Sequence, residues 1–500
     1  MKLSPIFSNH MVLQRNKPIR IWGEGNGEIT VTLNNQTQTA TSEDGKWTVT
    51  LSPEAAGGPF ELTVCAQKEK IVLSDVMIGD VWLAAGQSNM ECVTFLASDG
   101  ISDAQKFGNN KNIRYFTVPR RTKEGEEVYR WHFESVLSSD KEWEVSTENT
   151  ALHFSAIGFW FANLLQKEEN IPVGIISCNF GGTRIESWID YDLIQTEAAL
   201  DYAKKEYTDI LNNLEFNSYI NERENQLSNV KEFCGKFNAL EMSKQMGIKQ
   251  FAVNPGLPWP APPPMGPYCE NFGGVLFENM IKRITPIGIA GVLWYQGESN
   301  AGTAEHYSKA FSVMVKNWRA AFQDKLQFLT VQIAPYSRYA AEDARAVLNR
   351  EQLLATYEND KVAIVTTGDV GEADNIHPLN KKTVAQRLFA AAQSTVYGKG
   401  NEYCGPVAHT AVLRKDGKIA IDFEHANQGL RPNSNVNNVY VSDEQGNFAP
   451  ANAYTKEKLL IIDCAGIAKP KAVKMGWQNY AHIDLYNAEG FPAMPFYFEL

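Results

Sequence analysis

Four short polar clusters, far apart in the chain, hold the residue types that ester hydrolysis needs. They are Gly86-Gln87-Ser88-Asn89-Met90, Asn179-Phe180-Gly181-Gly182-Thr183, Gln296-Gly297-Glu298-Ser299-Asn300 and Asp374-Asn375-Ile376-His377-Pro378. A serine hydroxyl is a weak nucleophile until a base takes its proton. His377 is such a base, with an unperturbed imidazole pKa near ~6.5. Asp374, earlier on the same segment, is spaced to accept the Nδ1 proton, fix the tautomer and stabilise the imidazolium. The Gly181-Gly182 turn offers backbone N–H groups, and Gln296 a side-chain amide, to a tetrahedral oxyanion. Ser88, His377 and Asp374 therefore form a candidate triad, with Ser88, Gly181, Gly182 and Gln296 as the candidate oxyanion hole.

Each piece has a commoner structural use. A serine after a strand usually caps a helix, Asp-x-x-His before a helix usually caps as well, and Gly-Gly usually marks backbone that needs positive φ. What binds them together is position. Each cluster follows an apolar run: Val81-Trp82-Leu83-Ala84-Ala85, Val173 to Cys178, Ile289 to Tyr295, and Val362 to Val365, with a further run at Phe328 to Ile333. Runs without alternation suit strands buried on both faces of a parallel sheet. Ligands of open α/β sheets bind beyond the carboxyl ends of such strands, so all four clusters are expected at one edge.

The elements between the runs agree. Ile157 to Leu165, Ala310 to Phe322 and Val384 to Ala392 carry apolar residues three and four apart, as helices covering a sheet should. Residues 76–400 read as a doubly wound α/β domain. Residues 1–75 read as a small β-sandwich, from period-two strands such as Ile29-Thr30-Val31-Thr32-Leu33 and Trp47-Thr48-Val49-Thr50-Leu51. Residues 401–500 return to short strands, a second all-β domain. Two segments interrupt the middle. A helical insertion is expected at about 192–250, on the stripe Leu200, Ala203, Tyr207, Ile210, Leu211 and Leu214. The proline-rich stretch 255–267, which includes Trp259, must be an extended loop, either a surface connector or a rim of the substrate site.

Composition sets outer limits. At 500 residues the chain exceeds the roughly 250–300 at which one core stops growing, so several domains are expected. Lys+Arg 47 against Asp+Glu 58 gives a net charge of −11 with no cationic cluster, which argues against nucleic-acid binding. No apolar run approaches the ~20 residues of a membrane helix. The seven cysteines are scattered, with no Cys-x-x-Cys pair, which excludes a zinc ribbon and gives no disulfide framework. The start, Met1-Lys2-Leu3-Ser4-Pro5, has no apolar signal core. The expectation is a periplasmic or secreted protein if a signal was removed, and a cytoplasmic one otherwise.

On these motifs the chain resembles the sialate O-acetylesterase branch of the SGNH hydrolases. The similar stretches run in family order: Met11-Val12-Leu13-Gln14-Arg15, Gly79-Asp80-Val81-Trp82, Gln87-Ser88-Asn89-Met90, Gly181-Gly182-Thr183-Arg184-Ile185-Glu186-Ser187-Trp188, Trp294-Tyr295-Gln296-Gly297-Glu298-Ser299-Asn300-Ala301 and Asp374 to Pro378. The resemblance implies a flavodoxin-like three-layer αβα domain flanked by two all-β domains. It implies an acetyl-serine intermediate at Ser88, no cofactor, no metal, and removal of O-acetyl groups from sugars. It places Ser88 as nucleophile, His377 as base and Asp374 as its orienter. Many SGNH enzymes supply a further oxyanion donor from an asparagine in Gly-x-Asn-Asp; here the matching segment reads Gln296-Gly297-Glu298, and the role passes to Gln296.

Substrate contacts are less specified. Arg184, Trp259 and Glu298 are the candidates, because a guanidinium could hold a sialic acid carboxylate bidentately; Arg184 could equally pair with Glu186 or Glu298 as scaffolding. Sialic acid is the first-choice sugar, with acetylated xylan or another plant polysaccharide as the alternative. A different class, glycoside hydrolysis by two carboxylates, would use Glu298 with Asp374 or Glu186. A non-catalytic sugar-binding protein would normally have lost Ser88, His377 or Asp374. An α/β-hydrolase would show Gly-x-Ser-x-Gly, which is absent here.

Overall fold

The fold is that of a computed structural model. It describes residues 1–67, 69–126, 142–244, 261–432, 434–467 and 469–500, the side chains of 234–244 excepted. Trp259, His132 and parts of the expected insertion and proline-rich loop lie outside the described residues. The chain divides into two compact units, Met1–Trp294 with Val313–Gln327, and Tyr295–Ser312 with Phe328–Leu500.

The first unit opens with strands whose period-two patterns are observed as alternating burial. Along Lys46–Leu51, Trp47, Val49 and Leu51 point inward and the residues between them outward. Lys2–Leu3, Ile19–Glu24 and Lys46–Leu51 form one antiparallel sheet. Glu28–Leu33 pairs with Gln36–Thr41 and Gly57–Ala66. The expected boundary near residue 76 falls inside a single 18-residue strand, Glu69–Gly86. Its first part pairs antiparallel with Gly57–Ala66, and its second part pairs parallel with Val173–Asn179, from Val173 opposite Asp80 to Asn179 opposite Gly86.

The α/β part of this unit runs in the strand order Glu144–Ser146, Asn110–Thr117, Val173–Asn179, Glu69–Gly86, Gly291–Tyr295. Val173–Asn179 is buried throughout, as a run without alternation requires. The helix Ala156–Glu169 starts where Ser155 Oγ accepts the Gly158 N–H at 3.2 Å. Its Phe161 meets Trp82 of the sheet edge-on, with ring centroids 5.0 Å apart. The insertion is helical where described, as Tyr191–Thr196, Asp201–Asn212 and Phe216–Lys244.

In the second unit Gln327–Val331 runs parallel to Val362–Val365, pairing Phe328 with Val362 and Val331 with Val365. The helices Ala344–Glu358 and Lys381–Thr395 belong to this unit. Beyond residue 400 a five-stranded and a four-stranded antiparallel sheet share a core that includes Ile419, Ile421, Val441, Leu460, Ile462 and Val473. The architecture is thus α/β with further all-β sheets, as expected. Among the described residues, no helix is long and apolar enough to cross a membrane.

Candidate active site

The nucleophile candidate sits on a sharp strand-to-helix turn. Gly86 ends its strand at φ 135°, a conformation that L side chains rarely adopt, and the chain turns at once into the short helix Ser88–Glu91. Gln87 occupies the N-cap, its carbonyl accepting from Met90 N at 2.9 Å and Glu91 N at 3.0 Å. Gln87, Asn89, Met90 and Glu91 are buried, while Ser88 alone in this turn keeps partial exposure. A hydroxyl that must meet a substrate needs that access.

The glycine turn follows the neighbouring parallel strand. Phe180 N–H donates to the Gly86 carbonyl at 3.0 Å, so the turn begins beside the nucleophile's own. Gly181 N–H donates to Glu91 Oε2 at 2.6 Å. Glu91 Oε1 is paired with Arg120 Nη2 at 3.0 Å, and Arg120 Nε donates to the Asn179 carbonyl at 3.2 Å. Gly182 has φ 75°, and among the described residues its N–H has no hydrogen-bond partner; its carbonyl accepts from Asn271 Nδ2 at 3.1 Å. The two glycines, equivalent in the sequence, therefore differ in what their amides do.

Arg184 has specific partners on the helical insertion. Its guanidinium donates from Nη1 and Nη2 to Glu206, at 3.1 and 2.9 Å, and from Nη2 to the Tyr207 hydroxyl at 3.0 Å. The scaffolding role weighed for it is thus filled by Glu206, a residue not singled out in the sequence. Glu186 is buried and accepts the Tyr202 hydroxyl at 2.6 Å. Burial first, then the charge of Glu186, pushes the Tyr202 phenol far up, so this hydroxyl stays protonated and donates.

In the second unit Gln296 is 0% exposed. Its Oε1 accepts the Tyr307 hydroxyl at 2.9 Å and its Nε2 donates to Asn300 Oδ1 at 2.7 Å, so the amide is held at both ends. The Gln296 carbonyl accepts from Tyr307 and from Gln352 Nε2. The next residue must be glycine, because a Cβ on Gly297 would lie 2.7 Å from Ile333 Cγ2. Glu298 is buried, and its charge acts on the Tyr339 phenol. Burial chiefly, with the Glu298 charge adding, pushes that phenol well above its ordinary value.

Asp374 and His377 share the loop after Val362–Val365. Glu372 organises it, Oε1 accepting from Leu379 N at 2.8 Å and Oε2 from Asn375 Nδ2 at 3.2 Å, while Asn375 Oδ1 accepts the His377 N–H at 3.0 Å. The Asp374 side chain is 76% exposed, and its Oδ1 accepts from Arg338 Nη2 at 2.8 Å and Nε at 3.3 Å. The segment that carries Arg338 is tied to the same loop through Ser337, whose N–H and Oγ both donate to the Ala373 carbonyl. That segment is gripped in turn by Asn479, which is 5% exposed. Asn479 donates from Nδ2 to the Ala341 carbonyl at 2.6 Å, accepts Arg345 N–H on Oδ1 at 3.1 Å, and accepts Tyr336 N–H on its carbonyl at 3.1 Å. Nothing in the spacing of Asp374 and His377 announces either Arg338 or Asn479.

Ser88, Gly181, Gly182 and Arg184 belong to the first unit, and Gln296, Glu298, Asp374 and His377 to the second. Among the described residues, His10 and His425 have structural partners of their own, Asp75 and Glu402, each at 2.7 Å. The described cysteines, Cys65, Cys92, Cys178, Cys269, Cys404 and Cys464, are free thiols.

Known proteins share this chain's plan from end to end. The sialate O-acetylesterase of Rattus norvegicus is 26% identical over 551 aligned residues, covering 99% of this chain and 94% of its own. That of Homo sapiens is 24% identical, over 99% and 92%. Among solved structures, a carbohydrate acetylesterase from Xanthomonas citri is similar with a TM-score of 0.78 and 27% identity, over 99% of both chains. The family of carbohydrate esterases described as sialic acid-specific acetylesterases matches residues 78–218 and 266–394. Those spans contain Ser88, Gly181, Gly182, Gln296, Asp374 and His377, and the chain belongs to that family.

Proposed function

We propose that this esterase removes O-acetyl groups from sugars, with acetylated sialic acid as first-choice substrate, through an acetyl-Ser88 intermediate. Neutral His377 takes the Ser88 proton as Oγ attacks the acetyl carbonyl carbon. The carbonyl π electrons move onto oxygen, where the N–H groups of Gly182 and Ser88 and the Gln296 amide receive the charge. Collapse breaks the bond to the sugar oxygen, which leaves with the proton from the imidazolium. Water, deprotonated by the same imidazole, then attacks the acetyl-serine carbonyl; collapse breaks the bond from the acyl carbon to Ser88 Oγ, which takes the proton back from the imidazolium as acetate is released. Asp374 keeps His377 in the productive tautomer.

The observation that carries this reading is the Ser88 turn: a partly exposed serine that follows Gly86 at a strand end, beside a glycine turn whose Gly182 N–H is unclaimed among the described residues. The glycosidase reading draws less support, since Glu186 is fully buried and bonded by Tyr202. The test is acetate release from a panel containing 9-O-acetyl sialic acid and acetylated xylo-oligosaccharides, with Ser88→Ala as blank. Release from the sialic acid, abolished in the blank, is expected. Faster release from xylo-oligosaccharides would move the substrate to plant polysaccharide. Unchanged release in Ser88→Ala would overturn the serine mechanism.

A further inference from the structure

We infer that Glu91 is a positioning residue for the oxyanion hole: it occupies the Gly181 N–H and thereby makes Gly182 the backbone donor of the turn. The inference rests on the serine-esterase reading above. Its physical basis is a buried, fully engaged carboxylate, 5% exposed, three residues after the nucleophile candidate. One oxygen holds Gly181 N–H at 2.6 Å and the other holds Arg120 at 3.0 Å.

Consider what a carboxylate costs in this place. An anion beside a hole built to receive negative charge would oppose the transition state, since unlike neutral donors it repels the developing oxyanion. Here the charge is matched at contact distance by Arg120, which is 8% exposed and itself anchored on the Asn179 carbonyl. The pair can thus act as a neutral clamp joining three parts: the helix that begins at Ser88, the end of the strand Val173–Asn179, and the glycine turn. Truncating one partner of such a buried pair leaves the other unpaired, so its retention needs a local role to weigh against the desolvation cost.

That role follows from the geometry of successive amides. With Gly181 N–H directed at Glu91, the turn is anchored one peptide before the Gly182 amide, and Gly182 carries the chain on at φ 75°, a conformation open to glycine. Without Glu91, Gly181 N–H would be a buried donor in search of an acceptor, and the turn would relax to find one. The amide of Gly182 would then lose its fixed direction. A preorganised donor is what makes a hole effective, because no reorganisation is needed when charge appears.

The experiment separates acceptor from charge. Glu91→Gln keeps an oxygen for Gly181 but not the charge for Arg120; Glu91→Asp keeps the charge but draws the carboxylate back by one methylene; Glu91→Ala removes both. Each is assayed on an aryl acetate and on its thionoacetate, in which sulfur, a weak hydrogen-bond acceptor, replaces the carbonyl oxygen. Glu91→Ala and Glu91→Asp should lose about 10²-fold in kcat on the oxygen ester, the size of one lost oxyanion donor, with KM nearly unchanged. They should lose far less on the thionoester, so the oxygen-to-sulfur preference collapses. Glu91→Gln should keep most of that preference. Equal losses on both esters would make Glu91 a merely structural residue and overturn the inference, as would like behaviour of the Gln and Asp variants. Should Glu91→Ala fail to fold, the Gln and Asp pair decides alone. Activity that survives in Ser88→Ala would instead overturn the serine reading, and this inference with it; a dead Ser88→Ala beside an unaffected Glu91→Asp overturns this inference only.

Discussion

The carboxylate of Asp374 is bonded by the guanidinium of Arg338, through Oδ1 at 2.8 Å from Nη2, on a part of the loop open to solvent. In the proposed triad the same carboxylate must also serve the imidazole of His377. Arg338 competes for that carboxylate, so Arg338→Ala should leave kcat unchanged or raise it, by less than about fivefold because an exposed pair is worth little. High salt, which screens the same pair, should act on the wild-type enzyme in the same direction. A loss of kcat beyond about tenfold in Arg338→Ala, larger than an exposed pair is worth, would make Arg338 a support of the loop instead of a competitor for Asp374.

Ser88 should be labelled covalently by a serine-directed phosphonate or sulfonyl fluoride, because only a base-activated hydroxyl attacks such reagents quickly. Peptide mass spectrometry identifies the site. Label on another serine, with activity lost in step, would remove Ser88 as nucleophile. The labelling rate should fall on acidification, because a protonated imidazole cannot act as a base.

Asp374 and Gln296 should be told apart by the size of their effects. Asp374→Asn leaves the imidazole in place but allows the wrong tautomer, which in a serine-protease triad lowers kcat by ~10⁴, whereas one oxyanion donor is worth ~10²–10³. Gln296→Ala should therefore be the milder change and fall on kcat more than KM. Tyr307→Phe, which removes the hydroxyl that holds Gln296 Oε1, should reproduce a fraction of the Gln296→Ala loss. A Gln296→Ala enzyme that acylates at the wild-type rate would exclude this amide from the oxyanion hole.

Arg184 makes a bidentate pair with Glu206 and should matter for folding more than for substrate affinity. Arg184→Lys cannot reproduce the two-pronged contact. It should lower Tm while leaving KM for acetylated sialic acid close to that of the wild type. A large rise in KM confined to substrates that carry a carboxylate would return Arg184 to the substrate site.

The pair of His425 and Glu402 gives a pH-dependent contribution to stability. Burial alone would raise the Glu402 carboxyl, but the His425 imidazole at 2.7 Å, with the N–H groups of Tyr403 and Cys404, holds it below its ordinary value. A depressed folded-state pKa stabilises the protein above the unfolded carboxyl's pKa, and that contribution is lost as pH falls through the folded value. Tm should thus decline on acidification through the carboxylate range, and Glu402→Gln should decline less. Parallel Tm curves for the two proteins would refute the linkage.

The sequence made the strands of the central sheet legible because they lack the polar–apolar alternation of a half-exposed strand: Val173–Asn179 is buried throughout, with Ser177 and Asn179 its polar members, and Val362–Val365 is apolar at every position. It did not disclose Asn110–Thr117, in which Lys111, Asn112 and Arg114 break the apolar pattern. Ser88, Gly181, Gly182 and Gln296 could be singled out because each follows such a run. Glu91, Arg120, Arg338 and Asn479 could not. Their roles exist only through contacts with residues remote in sequence, as from Glu91 to Gly181 or from Asn479 to Ala341, and no local spacing encodes those. The two glycines illustrate the limit, since only the acceptor at Glu91 distinguishes one amide from the other.

The 18-residue strand Glu69–Gly86 ends two residues before Ser88 and begins among the N-terminal β-strands. Its opening half is zipped to Gly57–Ala66 and its closing half to Val173–Asn179, so one unbroken backbone belongs to two layers. Such a strand leaves no seam at which an evolutionary exchange or an engineered splice could part the N-terminal β-layer from the catalytic sheet. Grafting this esterase onto another module therefore has to be done outside residues 69–86, or Ser88 loses the rail that carries it.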